Sequence, residues 1–196
     1  MTRPKLKTFC HNEDTVTAAI KAGFEALVLD DSKVSIRSYS LDYTVPGYDK
    51  YSVLAKHARE LNPNIELSVC CDLLIHHRHF SRVDAVLEAM TQAKITTIRV
   101  QDTGLLIYIK EKAPHLRVDL HWETGNHNLL SMQAYEPHVQ TQHLSNEIPV
   151  DILKEARAGL SNALEIQIQG PILIQYSNRR YMAGLMYSSE KNLSQD

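Results

Sequence analysis

Polar side chains of the types that bind anions and move protons follow several apolar segments of this chain. Asp102 comes shortly after the apolar segment that ends at Val100, and Glu147 follows a shorter one that ends at Leu144. Such carboxylates act as general bases when a ligand is held beside them. Arg37 supplies a guanidinium, which binds a carboxylate or phosphate through two parallel hydrogen bonds. The pattern predicts a site that combines a base with an anion clamp.

A second group of residues has the chemistry of metal ligands. His121 and Glu123 share one face of a predicted strand, and His127 follows them. Imidazole and carboxylate groups ligate zinc or iron. Their spacing nevertheless differs from the helical pattern of zinc peptidases. We therefore assign no metal to the chain and expect no cofactor.

Nucleophilic catalysis finds no support in the sequence. No serine stands in a G-x-S-x-G turn of the kind that exposes a nucleophile. Cys70 and Cys71 are neighbours on a predicted strand, so their side chains face opposite ways. We predict that these two thiols and Cys10 are reduced and buried rather than joined in a disulfide.

The elements that must position these residues alternate regularly. Strand-like apolar segments are followed seven times by segments of helical spacing, such as the stripe of Val83, Val86, Leu87 and Met90. This alternation favours a parallel sheet covered by helices. The repeat of roughly 25 residues resembles that of a (β/α)₈ barrel, which needs about 250 residues. We predict an incomplete (β/α) TIM-type barrel of about seven units over residues 1–187, followed by a polar tail over 188–196.

An open doubly wound sheet is the alternative fold. No glycine-rich phosphate loop follows any of the predicted strands, and this absence argues against the doubly wound sheet. In a barrel, the active site forms at the C-terminal ends of the strands. Asp102 and Glu147 both follow predicted strands, so the barrel would bring them to one mouth.

Composition and charge exclude several classes of function. The 196 residues are 43% hydrophobic and 22% charged, with a net charge of −2. No apolar run reaches the ~18 residues that span a bilayer, and the N-terminus does not resemble a signal peptide. We expect a cytoplasmic protein without a membrane partner. The net charge gives no overall attraction to nucleic acid, so RNA binding through the exposed-loop sequence HHRH at 76–79 is a weaker option.

The segment 165–183, EIQIQGPILIQYSNRRYMA, resembles the signature of the collagenase-like peptidase family at Glu165, Gly170 and Ile172. Other segments are similar to that family in order along the chain: SIRSYSLDY, VQDTGLL, LHWETGNHN and LSNEI. The resemblance implies the barrel and a polar mouth. It makes Asp102, Glu147 and Tyr176 candidate catalytic residues, and the candidate ligand-binding residues are Arg37, Glu123, Gln169 and Arg179.

The chain departs from the family at the positions that hold its iron–sulfur cluster. Leu173 and Arg180 stand where the two signature cysteines are expected, and Gln169 stands in place of a histidine. A cluster is held by thiolates, usually four, and the chain has three cysteines, none at the family positions. The resemblance therefore does not carry the cluster chemistry to this chain.

Two functions follow from these residues. The first is a peptidase-like or hydrolase-like protein that binds a small anionic or peptide-like ligand at the barrel mouth. The second is a non-catalytic accessory subunit that partners a cluster-bearing relative in hydroxylation of RNA or of a quinone precursor. Homo- or hetero-oligomerisation fits the second, because an incomplete barrel has an exposed strand edge that can pair with a partner.

Protein purified without oxygen tests the expected loss of the cluster. We expect no bound iron and no visible absorption of a cluster, because the thiolate ligands are missing. Iron and sulfide analysis together with an absorption spectrum is the measurement. About one cluster per chain or per dimer would contradict the expectation and would make hydroxylation the favoured chemistry.

Overall fold

Strands and helices alternate through the computed structural model, which describes residues 3–31, 34–36, 50–122, 125 and 127–172. Two short 3₁₀ turns, His77–His79 and Glu136–His138, join the regular elements. The elements of this part of the chain are β1 (Lys7–Cys10), α1 (Glu13–Lys21), β2 (Ala26–Leu29), α2 (Tyr51–Leu61), β3 (Glu66–Cys71), α3 (Phe80–Gln92), β4 (Thr97–Val100), α4 (Thr103–Lys112), β5 (Arg117–His121), α5 (Leu129–Tyr135), β6 (Thr141–His143), α6 (Val150–Gly159) and β7 (Ala163–Glu165).

The seven strands form one parallel sheet in sequential order from β1 to β7. A doubly wound sheet reverses its strand order at a switch point, and this order contains no reversal. The incomplete (β/α) barrel predicted from the sequence is therefore confirmed, and the alternative is wrong. The weak sixth strand is present, whereas β7 ends at Glu165, earlier than the apolar pattern suggested.

The sheet curls until its first and last strands meet across the interior. The Nζ atom of Lys7 on β1 lies 2.6 Å from a carboxylate oxygen of Glu165 on β7. The same amine lies 3.1 Å from Asp119 on β5. Side-chain ion pairs thus link the two ends of the sheet across the barrel interior, although β1 and β7 do not pair with each other as strands in the described sheet.

The main apolar core lies between the outer face of the sheet and the helices. Leu27, Val69, Ile98 and Val118 point outward from four neighbouring strands and are buried against helical residues such as Val86. A smaller cluster at the β6–β7 end contains Met132, Leu144, Ile148, Ala156 and Leu160. No helix among the described residues is long and apolar enough to cross a bilayer.

The three cysteines belong to this buried framework. Cys10, Cys70 and Cys71 are free thiols with no measurable exposure, which confirms the sequence prediction. Burial raises the pKa of Cys10 to about 11 and raises the pKa of Cys70 well above its usual value. Thiols in this state are poor nucleophiles and poor metal ligands.

Helix α3 ends in a Schellman turn that places a lysine in a conformation usually given to glycine. The backbone N–H of Ile95 donates to Met90 at 2.9 Å, and that of Lys94 donates to Thr91 at 3.1 Å. Lys94 has a φ of 55°, which is left-handed and costs an L-residue about 1–2 kcal/mol. Glycine avoids this cost.

Lys94→Gly should therefore stabilise the protein by about 1 kcal/mol, because it relieves the left-handed backbone. Urea unfolding measures the change. Lys94→Ala is the matched control, since it removes the ammonium while keeping a Cβ at the strained position. Equal stabilities for the two variants would show that φ at residue 94 carries no cost.

Candidate functional site

The inner face of the sheet from β4 to β7 carries ionisable side chains rather than the aliphatic layers usual in such barrels. Ile98 and Val100 of β4 face the helices, so Arg99 faces inward, because side chains alternate along a strand. The register sets Arg99 opposite Asp119, and it sets His121, His143 and Glu165 in one row across three strands. We call these five residues and Lys7 the interior cluster.

Arg99 is the centre of the interior cluster. Its side chain is 3% exposed, and its Nη1 donates to Glu165 at 2.5 Å. Its Nη2 donates to Nδ1 of His121. The guanidinium carbon lies 5.3 Å from the centre of the Phe9 ring, within cation–π range. Arg99 thus connects β4 to β5, β7 and β1.

Glu165 stays ionised because two cations surround it. Burial by itself raises its pKa, but the charges of Arg99 and Lys7 outweigh burial and hold the pKa far below its usual range. The same ion pairs raise the pKa of Lys7. Burial by itself lowers that pKa, but the charges of Asp119 and Glu165 outweigh burial and hold it above its usual value. Both groups are therefore charged at any ordinary pH.

His121 is neutral for the opposite reason. Burial, and then the charge of Arg99, lowers its pKa to about 3. Arg99 has only donors, so Nδ1 of His121 must accept and its proton must sit on Nε2. That Nε2 lies 4.0 Å from a carboxylate oxygen of Asp72. The ring also packs 4.3 Å from the ring of His143.

The acidic residues that follow β2 and β3 fix the chain near the mouth, the end of the barrel formed by the C-terminal ends of the strands. Asp72 accepts from the backbone N–H of Ile36 at 2.8 Å. Asp30 accepts from the hydroxyl of Ser35 at 2.9 Å, and Asp31 accepts from the phenol of Tyr51 at 3.2 Å. Each of these three buried carboxylates thus accepts a hydrogen bond from the chain around it.

Two buried polar atoms at the mouth side of β4 have no partner among the described residues. They are the Nε donor of Arg99 and the Oε1 acceptor of Gln101. Gln101 directly follows β4, and the alternation of that strand puts it on the same face as Arg99. Buried donors and acceptors are nearly always satisfied in native proteins. Arg99 and Gln101 thus leave one donor and one acceptor unsatisfied within the described part of the chain.

The predicted site residues that the structure describes lie apart from the interior cluster. Asp102 is the N-cap of α4, where its Oδ1 accepts from the backbone N–H groups of Gly104 at 2.7 Å and Leu105 at 3.1 Å. Glu147 is exposed, 3.6 Å from Nε2 of His127. Gln169 is also exposed. Their catalytic and binding roles stay predictions.

The other predicted site residues, Arg37, Glu123, Tyr176 and Arg179, lie outside the described residues. Within the part of the chain that is described, no three His, Cys, Asp or Glu side chains are placed to hold a metal ion. The described mouth is thus a set of hydrogen-bonded carboxylates beside one buried guanidinium.

The sequence interpretation missed Arg99, Lys7, Asp119 and His143 as interior residues. A signal for them exists, because strands buried on both faces of a parallel sheet normally read as continuous apolar runs. Instead, β4 reads TIRV and β5 reads RVDLH, with polar and aliphatic residues alternating. Such alternation inside a (β/α) barrel indicates a polar interior.

Solved structures with the same architecture support the class of fold. A 2,3-dimethylmalate lyase of the PEP mutase/isocitrate lyase superfamily matches with a TM-score of 0.57 and 10% identity, over 98% of this chain and 83% of that one. A thiamine phosphate pyrophosphorylase from Pyrococcus furiosus matches with a TM-score of 0.54 and 12% identity, over 83% and 73%. An oxaloacetate acetylhydrolase in complex with oxalate matches with a TM-score of 0.56 and 13% identity, over 83% and 66%.

At these identities the likeness defines the fold, a (β/α) barrel, and not the chemistry. A search among curated proteins found no match. The family model of Peptidase family U32 matches residues 11–195. The chain belongs to Peptidase family U32, as the resemblance at 165–183 implied.

The pKa of His121 makes a specific acid sensitivity testable. The unfolded chain binds a proton at His121 below about pH 6.5, whereas the folded chain does so only near pH 3. Stability should therefore decrease as the pH falls from 6.5 to 5, with a slope of up to about 1.4 kcal/mol per pH unit from this one proton.

His121→Asn should flatten that slope in urea unfolding measured between pH 5 and 6.5. His115→Asn is the control, because His115 is exposed. A slope that is the same in the wild type and in His121→Asn would contradict the buried neutral imidazole.

Proposed function

We propose that this family member binds a small peptide-like, anionic ligand at the mouth of its barrel and hydrolyses its amide bond. The observation that carries the proposal is that two buried polar atoms, the Nε donor of Arg99 on β4 and the Oε1 acceptor of Gln101 just after it, have no partner among the described residues. A peptide bond offers a carbonyl acceptor and an N–H donor, which are the complements of these two groups.

The charge of the interior cluster supports a ligand that is also anionic. Arg99 and Lys7 are both protonated and lie beside the inward row of β5 and β7. Arg99 shares its charge with Glu165 and keeps one donor for a further acceptor. A ligand carboxylate near the mouth would be stabilised by this buried guanidinium, since hydrogen bonds to charged groups are about twice as strong as neutral ones.

The hydrolytic step needs a base, and the interior residues are unsuited to that role. The very low pKa of Glu165 and the pKa of about 3 of His121 make both weak bases at neutral pH. The base is therefore one of the mouth carboxylates, Asp102 or Glu147. Glu147 has an imidazole partner, His127, at 3.6 Å.

The same weak basicity favours a second candidate function, that of an accessory subunit which binds the ligand without hydrolysing it. β1 and β7 stand at the two ends of the sheet that the described residues form. A strand at a sheet edge is a template for pairing with another chain. In this alternative, a cluster-bearing relative would supply the chemistry.

N-acetylglycine is the probe for the proposed binding, because it combines one amide with one carboxylate and carries a net negative charge at neutral pH. We expect Gln101→Leu to weaken its binding by roughly tenfold, since the amide N–H of the ligand loses its acceptor. Isothermal titration calorimetry measures the affinity. Gln133→Leu is the matched control, because Gln133 is exposed on α5. Unchanged affinity in Gln101→Leu would contradict the proposed contact.

Release of glycine from the same probe separates the two functions. Asp102→Asn is well suited, because asparagine caps a helix as well as aspartate does and so retains α4. Loss of hydrolysis with retained binding in Asp102→Asn or in Glu147→Gln identifies the base. Binding by the wild type without any release of glycine favours the accessory function instead.

A further inference from the structure

A cavity among the described residues lies at the end of the barrel opposite the mouth. It has a volume of about 250 Å³ and is lined by the first residues of the strands, among them Lys7, Ala26, Glu66, Thr97, Arg117 and Thr141. We call it the lower cavity. At about 30 Å³ per water molecule, it holds roughly eight waters, so it is large enough for a small ion or molecule.

Cations outnumber acids around the lower cavity. Lys7, Arg59, Lys94 and Arg117 line it, against the two carboxylates of Glu66 and Asp119. Glu66 is already paired with Lys5, and Asp119 with Lys7. The acids are thus engaged, whereas Arg117 is exposed at the rim.

Hydroxyl groups and a fixed guanidinium complete the lining. Ser68, Thr97 and Thr141 bring hydroxyls from three different strands. Arg59 is held in place from α2 because its two terminal nitrogens donate to the carbonyls of Ala93 and Lys94, each at 2.8 Å. A guanidinium held in this way loses little freedom when it meets an anion.

Lys94 adds an independent observation. It occupies the left-handed position of the α3 Schellman turn, where glycine is favoured. The chain keeps a cation there despite the strained backbone. Strain retained at one position of a fold is a reason to look for a function there.

From this combination of cavity, charge and hydroxyl groups, we propose that the lower cavity binds a small dianion of the phosphate class. The cations supply charge-assisted hydrogen bonds to phosphate oxygens, and the hydroxyls supply neutral ones. The proposal does not require a ligand at the mouth, because Lys7 and Asp119 are the only residues of this lining that also belong to the interior cluster.

Inorganic phosphate is the probe for the lower cavity, with sodium chloride of equal ionic strength as its reference. Phosphate should raise the melting temperature more than chloride does, since a ligand that binds only the folded state stabilises it. Calorimetric titration should show that Arg117→Gln weakens phosphate binding by roughly tenfold, the loss expected for a charged hydrogen bond. Equal effects of phosphate and chloride on the wild type would overturn the proposal.

Variants of Lys94 distinguish a loss of phosphate binding from a loss of folding. Lys94→Gly should melt higher than the wild type in chloride and yet bind phosphate more weakly, whereas Lys94→Arg should retain the affinity. Structural damage cannot produce a more stable protein with weaker binding. Phosphate affinity that is unchanged in both Lys94→Gly and Arg117→Gln would overturn the site.

A matched control tests whether the site is local. Lys21 is a cation in the last turn of α1, at the same end of the barrel, and it does not line the lower cavity. Lys21→Gln should therefore leave phosphate binding intact. A loss in Lys21→Gln as large as that in Arg117→Gln would show a diffuse surface charge and overturn the proposed cavity site.

Discussion

The rest of this barrel depends on one ionic arrangement, in which Glu165 on β7 lies between Lys7 on β1 and Arg99 on β4. The hydrogen bonds of a parallel sheet fix only neighbouring strands, so they do not determine how far the sheet curls. The two ion pairs act across the interior and bring the first and last strands together. Removing one partner of such a buried pair commonly costs about 3–5 kcal/mol, because the other charge is left uncompensated.

The same arrangement sets the chemistry that the interior can and cannot do. The charges of Arg99 and Lys7 keep Glu165 ionised, and burial together with the charge of Arg99 keeps His121 neutral, so neither residue exchanges protons near neutral pH. The interior is therefore suited to a fixed electrostatic environment rather than to proton transfer. In the proposed hydrolysis, proton transfer would fall to a carboxylate at the mouth; at Asp102, only Oδ1 accepts the backbone hydrogen bonds that cap α4.

The order of strands and helices could be read from the sequence because periodicity is a local property. The apolar stripe of α3 needed only neighbouring residues. The interior cluster could not be predicted from local patterns, since the contact of Lys7 with Glu165 joins the first and last strands of the sheet. Alternation in β4 was the signal that could have placed Arg99 on the inner face, but only the curl of the sheet determines which carboxylate it meets.

The ammonium group of Lys7 contacts residues at both ends of the barrel. It lines the lower cavity while it pairs with Asp119 and Glu165 of the interior cluster. A phosphate ion in the lower cavity, as proposed, would compete with these carboxylates for the three N–H donors of Lys7. Glu165 would then rely more on Arg99, and the donor that Arg99 offers at the mouth would change with it. If both ligands bind as proposed, their binding would be coupled to the extent that Lys7 is shared, and by linkage the coupling would be the same in both directions.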